Sequence, residues 1–282
     1  KKLTEKTYHS FNYLYQSLVI SSPDLQISNF DINGIPHYFL TSKQDKKNDF
    51  SIKKSEIYNF MRDSRKFWDN DKDDFYFISL LPLNTKLPGA QGGYGIKNGF
   101  FMKYYGEFDL DKIFTLCHET IHNWIGGKIN IGNNNMWFSE GFTQYITFFT
   151  AAYSGLIDEK EFLELFNEFE LKEHYTSPYR EISQEELNNS GKFWTDERYQ
   201  KIHYNRGCIF AFYLDNQIRK HTKGEKTIQN LLLDMLKKQY EKGESLTLSE
   251  FYALGDEYLM KGQLKNDTKK YITNGKLIKF SS

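Results

Sequence analysis

The sequence predicts an α+β fold, with a mixed α/β first half and a mostly helical second half. Three observations carry that expectation. Aromatic, strand-like runs are confined to the part before Asp109. From Asp109 onward apolar residues recur with helical spacing. Glycines at Gly126-Gly127, Gly155 and Gly224 then cut the helical part into segments.

Taken in order, residues 1–24 contain Ser21-Ser22-Pro23 and are expected to be a linker or the remnant of a preceding domain. Ile35-Pro36-His37-Tyr38-Phe39-Leu40 is predicted as a strand, followed by a polar loop from Thr41 to Asp49. Ser55 to Trp68 is an amphipathic helix with Ile57, Phe60 and Met61 on one face. Phe75 to Leu83 is a second apolar strand, and Phe100 to Tyr105 a third. Beyond the first helices, one helix runs near His203 to His221. The capping box Thr247-Leu248-Ser249-Glu250 opens a late helix toward Leu259. Residues 264–282 form a C-terminal tail whose lysines, Lys265, Lys269, Lys270, Lys276 and Lys279, read as solvated surface.

Composition narrows the function. The 37 basic and 37 acidic side chains cancel, which argues against nucleic acid as partner, because phosphate binding needs a basic excess. No apolar run approaches the roughly 20 residues of a membrane span, so no transmembrane segment is expected. Cys117 and Cys208 are the two cysteines; a pair in a chain this long is no disulfide framework, and apolar neighbours predict buried thiols. The chain begins Lys1-Lys2-Leu3 without an apolar signal region, so it is read as a mature form or an excised segment, with its localisation left open.

The glycine-rich stretch Gly89-Ala90-Gln91-Gly92-Gly93-Tyr94-Gly95 is not a nucleotide loop. It misses the dinucleotide spacing, lacks a Lys-Ser/Thr ending, and leads into a strand rather than a helix. It is expected to be an irregular sheet edge or a backbone exposed beside a cleft.

The chemistry concentrates at Cys117-His118-Glu119-Thr120-Ile121-His122. Residues four apart stack on a helix, so His118 and His122 can aim both imidazoles at one ion. Such a pair also occurs by chance on solvated helices, but Ile113, Phe114, Cys117, Ile121 and Trp124 give this helix an apolar face to bury. Catalytic zinc takes three protein ligands and leaves a fourth position for water, whose pKa falls from ~15.7 to about 7. Glu119 is placed to act as general base on that water without ligating the metal. A third ligand must come from another element. Glu140, isolated in the aromatic stretch Trp137-Phe138-Ser139-Glu140-Gly141-Phe142-Thr143-Gln144-Tyr145, is a carboxylate that is costly to bury unless paired or metal-bound.

These two motifs together resemble the gluzincin zinc peptidases, most nearly the glycyl aminopeptidase family, relatives of aminopeptidase N and leukotriene hydrolase. The likeness continues in Tyr153-x-Gly155-Leu156-Ile157-Asp158 and in His203-Tyr204-Asn205-Arg206-Gly207, similar to the family's Tyr-x-Lys-Gly segment. Upstream it includes Asp31-Ile32-Asn33-Gly34-Ile35-Pro36-His37, and it spans roughly residues 18 to 275. The resemblance implies a thermolysin-like catalytic fold that binds Zn2+ and hydrolyses peptide bonds in a peptide or protein substrate. It carries over His118, His122 and Glu140 as zinc ligands, Glu119 as general base and Tyr204 as the phenol that hydrogen-bonds the oxyanion. It further implies residues 25–155 as the lobe with the zinc helices and 156–263 as a helical lobe with the catalytic tyrosine. A β-rich domain would precede residue 18, and a further C-terminal domain is often found.

Three departures stand out. Seventeen residues separate His122 from Glu140, one fewer than the aminopeptidase N pattern, whose strict spacing lands on Gly141; the Gly/Asn-rich loop Ile129 to Asn135 can absorb the difference. Lys97 in Gly95-Ile96-Lys97-Asn98 stands where the family carries a glutamate that binds the substrate's free amine, and lysine repels an ammonium group. Arg206 replaces the usual lysine, a change expected to alter local packing or pairing. The expected function is therefore an aminopeptidase-like zinc peptidase, with two alternatives: a catalytically inactive, zinc-retaining peptide-binding module, or an endopeptidase indifferent to the free N-terminus.

Overall fold

In the computed structural model, Asn33 and Gly34 both take positive φ, 54° and 82°, as a type I′ turn requires. The chain folds back there as a hairpin of β1 (Leu25–Ile32) and β2 (Ile35–Ser42), closed by the pair Ile32↔Ile35. Residues 23–45, 48, 50–69, 73–85, 92–96, 98–132, 134–193 and 195–280 are described. They group into two compact units: one takes residues up to 53 and those within 72–123, the other those within 54–71 and from 124 onward.

The first unit is built on a five-stranded sheet of order β1-β2-β3-β5-β4, where β3 is Tyr76–Leu83, β4 Gly92–Ile96 and β5 Gly99–Tyr105. β2, β3 and β5 are mutually parallel, while β1 and β4 run antiparallel at the two ends. The sequence predicts three of these strands; β1 is added by the Asn33-Gly34 turn, and Gly92 to Gly95, the described part of the glycine stretch, lies in the edge strand β4. Phe50 opens helix α1 (Phe50–Trp68), and its ring packs on Phe39, Tyr104 and Phe108 with centroids 5.4–6.4 Å apart. Asn48 secures this group by accepting from the Phe108 amide at 2.6 Å. Helix α2 (Leu110–Ile121), capped by Asp109, packs on β4 and β5.

The second unit centres on two helices, α3 (Met136–Tyr153) and α7 (Glu197–His221). Their backbones touch at Gly141 and Gly207: a Cβ on Gly141 would overlap the Gly207 backbone, and one on Gly207 would overlap the Trp137 carbonyl. Trp137, Phe138, Phe142 and Phe210 fill the space around the crossing together with Phe251 of α9 (Leu248–Gly255). Between α3 and α7 the chain forms α4 (Glu159–Leu165), a π-helical turn Phe166–Lys172, α5 (Glu173–Thr176) and α6 (Gln184–Asn189). Helix α8 (Ile228–Lys242) follows α7, and α9 opens on the expected capping box from Thr247 to Glu250.

The lysines of the C-terminal tail are solvated as expected, but the chain around them is docked. Its five lysines are exposed, but Leu264, Thr268, Ile272 and Ile278 between them are buried. The Tyr175 hydroxyl donates to the Ile278 carbonyl, and Phe280 packs on Phe212 at 5.6 Å. Leu264, Ile272 and Ile278 dock the tail while its lysines stay in water. Both cysteines are buried and unbonded to each other, as expected. No helix among the described residues is long and apolar enough to cross a membrane.

Burial also fixes several charges. Arg206 is buried and donates to the carbonyls of Ile182 (2.7 Å), Arg180 (3.3 Å) and Ile272 (3.5 Å), so the family's lysine is replaced by a fork that ties α7 to the tail. Burial lowers its pKa to about 10, which leaves it charged. Burial and this cation hold His174 near a pKa of about 3. Glu170, on the π-helical turn, is pushed up to about 7, first by burial. The unfolded chain therefore releases this proton near pH 4.5 while the folded chain keeps it to about 7, so stability falls as pH rises through that window. Glu170→Gln removes the loss, and its gain over the parent is expected to grow from small at pH 4.5 to a plateau above pH 7 of up to roughly 3 kcal/mol. Thermal unfolding of both proteins at pH 4.5, 6 and 8 checks this, because the histidine contributions cancel in the difference.

Candidate metal centre

Asp109 caps α2 by accepting from the Lys112 amide at 3.3 Å, and Ile113, Leu116, Cys117 and Ile121 bury one face of the helix. That face fixes the helix's rotation, leaving His118, buried, and His122, half-buried, on the remaining side. His122 is the C-cap residue and still helical, with φ −60° and ψ −15°. The two imidazoles cross at 79°, and their Nε2 atoms lie 3.1 Å apart.

Glu140 lies one turn into α3. Its flanks are anchored: Trp137 and Phe138 are buried, and the Trp137 indole donates to Asn135 at 3.1 Å. The loop before it is held at both ends of the shortened stretch. The Asn130 amide donates to Gln239 at 2.9 Å, and Asn135 donates to the Ile131 carbonyl at 3.0 Å. Ser139 donates to Glu140 Oε1 at 3.3 Å. His118, His122 and Glu140 each bring one ligand atom to a point where all lie within 4.8 Å of one another. Glu140 thus lies with the two histidines, while Gly141 is required at the helix crossing.

The donor set fits zinc. Two nitrogens bound at ~2.05 Å in a tetrahedron stand about 3.3 Å apart, close to the observed separation of the two Nε2 atoms. Two imidazoles and a carboxylate are the ligand chemistry of hydrolytic zinc sites, and they leave a fourth position open.

Glu119 is half-buried and faces the edge strand β4. A Cβ on Gly95 would stand 3.3 Å from its Oε2, and one on Gly93 would stand 3.2 Å from its Cγ. Glycine at 95 therefore leaves room for the carboxylate, while glycine at 93 accommodates the Phe100 ring, whose Cε2 would stand 2.4 Å from a Cβ there. Tyr204 is half-buried on α7, three residues before Gly207, so the glycine crossing ties its helix to the helix of Glu140. His203 beside it is buried, its Nδ1 3.4 Å from Gln184 Nε2. Burial and the Arg206 cation hold its pKa down to about 4 against the opposing pull of Glu140, so it is neutral at pH 7. Lys97 lies outside the described residues. The sequence gives no sign of Gln144 and Glu170, which share a partly buried hydrogen bond: Glu170 belongs to an acidic run whose other members up to Glu168 are exposed.

Comparison with known proteins places these features in context. A family model described as the peptidase family M1 domain matches residues 109–253. A search of curated proteins finds no match. An aminopeptidase N family protein from Idiomarina loihiensis is similar with a TM-score of 0.75 at 17% identity, covering 91% of this chain and 48% of that one. An M1 zinc metallopeptidase from Deinococcus radiodurans gives 0.61 at 14% identity, covering 90% and 53%. Native yeast LTA4 hydrolase gives 0.58 at 17% identity, covering 91% and 40%. The chain thus spans about half the length of these structures, and at such identities they share its fold.

His122→Ala and Glu140→Gln are each expected to weaken zinc binding by at least about 100-fold, leaving the protein metal-free after dialysis. Gly95→Ala, beside the site, is expected to retain one zinc per chain. Elemental analysis of the purified variants reads both outcomes.

Proposed function

The chain belongs to peptidase family M1, and from that membership we propose that it is a zinc-dependent, aminopeptidase-like hydrolase of peptide bonds in peptide or protein substrates. The observation that carries the proposal is the convergence of His118, His122 and Glu140 inside the matched segment, which also contains Glu119 and Tyr204. The catalytic fold in this proposal is thermolysin-like, with His118, His122 and Glu140 as zinc ligands.

Zinc, when bound, supplies a Lewis acid that acidifies water and polarises the scissile carbonyl. Glu119 is the general base: its carboxylate takes a proton from the attacking water and passes it to the departing amine. Tyr204 donates its phenolic hydrogen bond to the carbonyl oxygen as negative charge gathers there. The last strand of the sheet supports this assignment. An extended peptide can add to the β4 edge by main-chain hydrogen bonds, and Gly95 leaves Glu119 room to reach its scissile bond.

Glu119→Gln is expected to lower kcat by about 10²–10⁴-fold with zinc retained, and Tyr204→Phe by about 10²-fold with KM little changed. Turnover that survives chelator, or that Glu119→Gln leaves intact, would sink the proposal. Peptide binding without chelator-sensitive hydrolysis would favour the inactive binding module instead. The charge of Lys97 predicts a weakened preference for free N-termini, so one peptide and its acetylated form should be cut at rates within about tenfold. A strong preference for the free amine overturns that expectation and restores strict aminopeptidase specificity.

A further inference from the structure

Glu170 has no place in the chemistry above, yet it is 2% exposed while Glu159, Glu161, Glu164 and Glu168 of the same run lie in water. The turn that carries it is π-helical, a wide register that re-aims a side chain within an otherwise regular helix and recurs at functional sites. Two helices meet this turn. From α3, Gln144 Nε2 donates to Glu170 Oε1 at 2.9 Å, and Gln144 stands one helical turn beyond Glu140. From α7, the Cys208 thiol lies against the carboxyl group, one turn beyond Tyr204.

The neighbouring contacts strengthen the junction. Asn205 Nδ2 donates to the Phe169 carbonyl at 3.1 Å and reaches Glu173 at 3.5 Å, and Lys201 pairs with Glu173 at 3.1 Å. Lys201, Tyr204, Asn205 and Cys208 fall at i, i+3, i+4 and i+7, so Tyr204 belongs to the stripe of α7 that these contacts hold. Glu170 therefore sits at a polar junction that touches both the helix of Glu140 and the helix of Tyr204, one turn from each residue.

We infer that Glu170 is a positioning residue of the hydrolytic site, whose buried carboxyl fixes the register of α3 against α7 and with it the placement of Glu140 and Tyr204. The inference rests on the zinc-peptidase proposal. What the junction requires is an acceptor oxygen for the Gln144 amide, which either a carboxyl or a carboxamide provides. An apolar side chain there takes away the acceptor that holds this Gln144 N–H, and the helix shifts as the joint is lost. Nearby Glu173 and Lys201 act on the charge of Glu170 in opposite directions, and burial outweighs both, consistent with a group that serves as acceptor rather than as ion.

The test compares the parent, Glu170→Leu and Glu170→Gln, loaded with zinc for kinetics and with cobalt(II) for visible spectra. Glu170→Leu is expected to lower kcat about tenfold with KM within about twofold and to alter the cobalt spectrum at full metal occupancy. Glu170→Gln is expected to return both to the parent's values. A Glu170→Leu protein that matches the parent in kcat and spectrum overturns the inference, as does a loss confined to KM or one that Glu170→Gln shares in full. Should Glu170→Leu fail to fold, Gln144→Leu removes the donor from the other side and is held to the same outcomes. A parent without zinc-dependent turnover sinks the peptidase proposal separately, and the cobalt spectra still decide the role of Glu170.

Discussion

The contact of Gly141 with Gly207 is the constraint around which the helical unit is built. Two helices can bring their backbones together only where neither carries a Cβ, and here each glycine faces the other helix's main chain. Glu140 directly precedes one glycine, and Tyr204 lies one helical turn before the other, so the crossing places a carboxylate and a phenol on adjoining helices with little freedom. The aromatic side chains around it, from Trp137 to Phe251, fill the flanks that two glycines leave empty. Such packing loses dispersion contacts steeply with small displacements, which makes the crossing stiff.

Some buried groups of this unit rest on ion pairs, as Asp63 and Asp215 do, and others on hydrogen bonds alone. Arg206 stays cationic on main-chain carbonyls, and its field together with burial keeps His174 and His203 neutral. Glu170 resists ionising for the same reason of burial, with Gln144 as its donor. Arg206 and Glu170 tie separate segments together, the tail included, so polar atoms serve here as joints between helices. Directional hydrogen bonds fix rotation and register, which apolar packing leaves less defined.

Much of this was legible in advance, for reasons particular to each residue. The histidine pair needs only helical periodicity, and the apolar face of α2 states which side is buried. Glu140 was readable because an acid among aromatics is conspicuous. Glu170 was hidden because an acid among acids is not. The first hairpin was written in Asn33-Gly34, a two-residue signal more specific than the aromatic strand after it. The tail's lysines masked Leu264, Ile272 and Ile278, whose spacing is too sparse to announce a buried face.

The sequence by itself determined the donor types, their helical spacing and the α+β order of elements, because these depend on neighbours a few residues apart. Only the tertiary structure decided that Gly141 and Gly207 bring two helix backbones together, that Gly95 leaves space beside Glu119, and that Glu170 is buried. Those outcomes turn on which backbones approach within contact distance across long stretches of chain. A one-residue change in loop length or one missing Cβ shifts such an approach, and no local pattern records it.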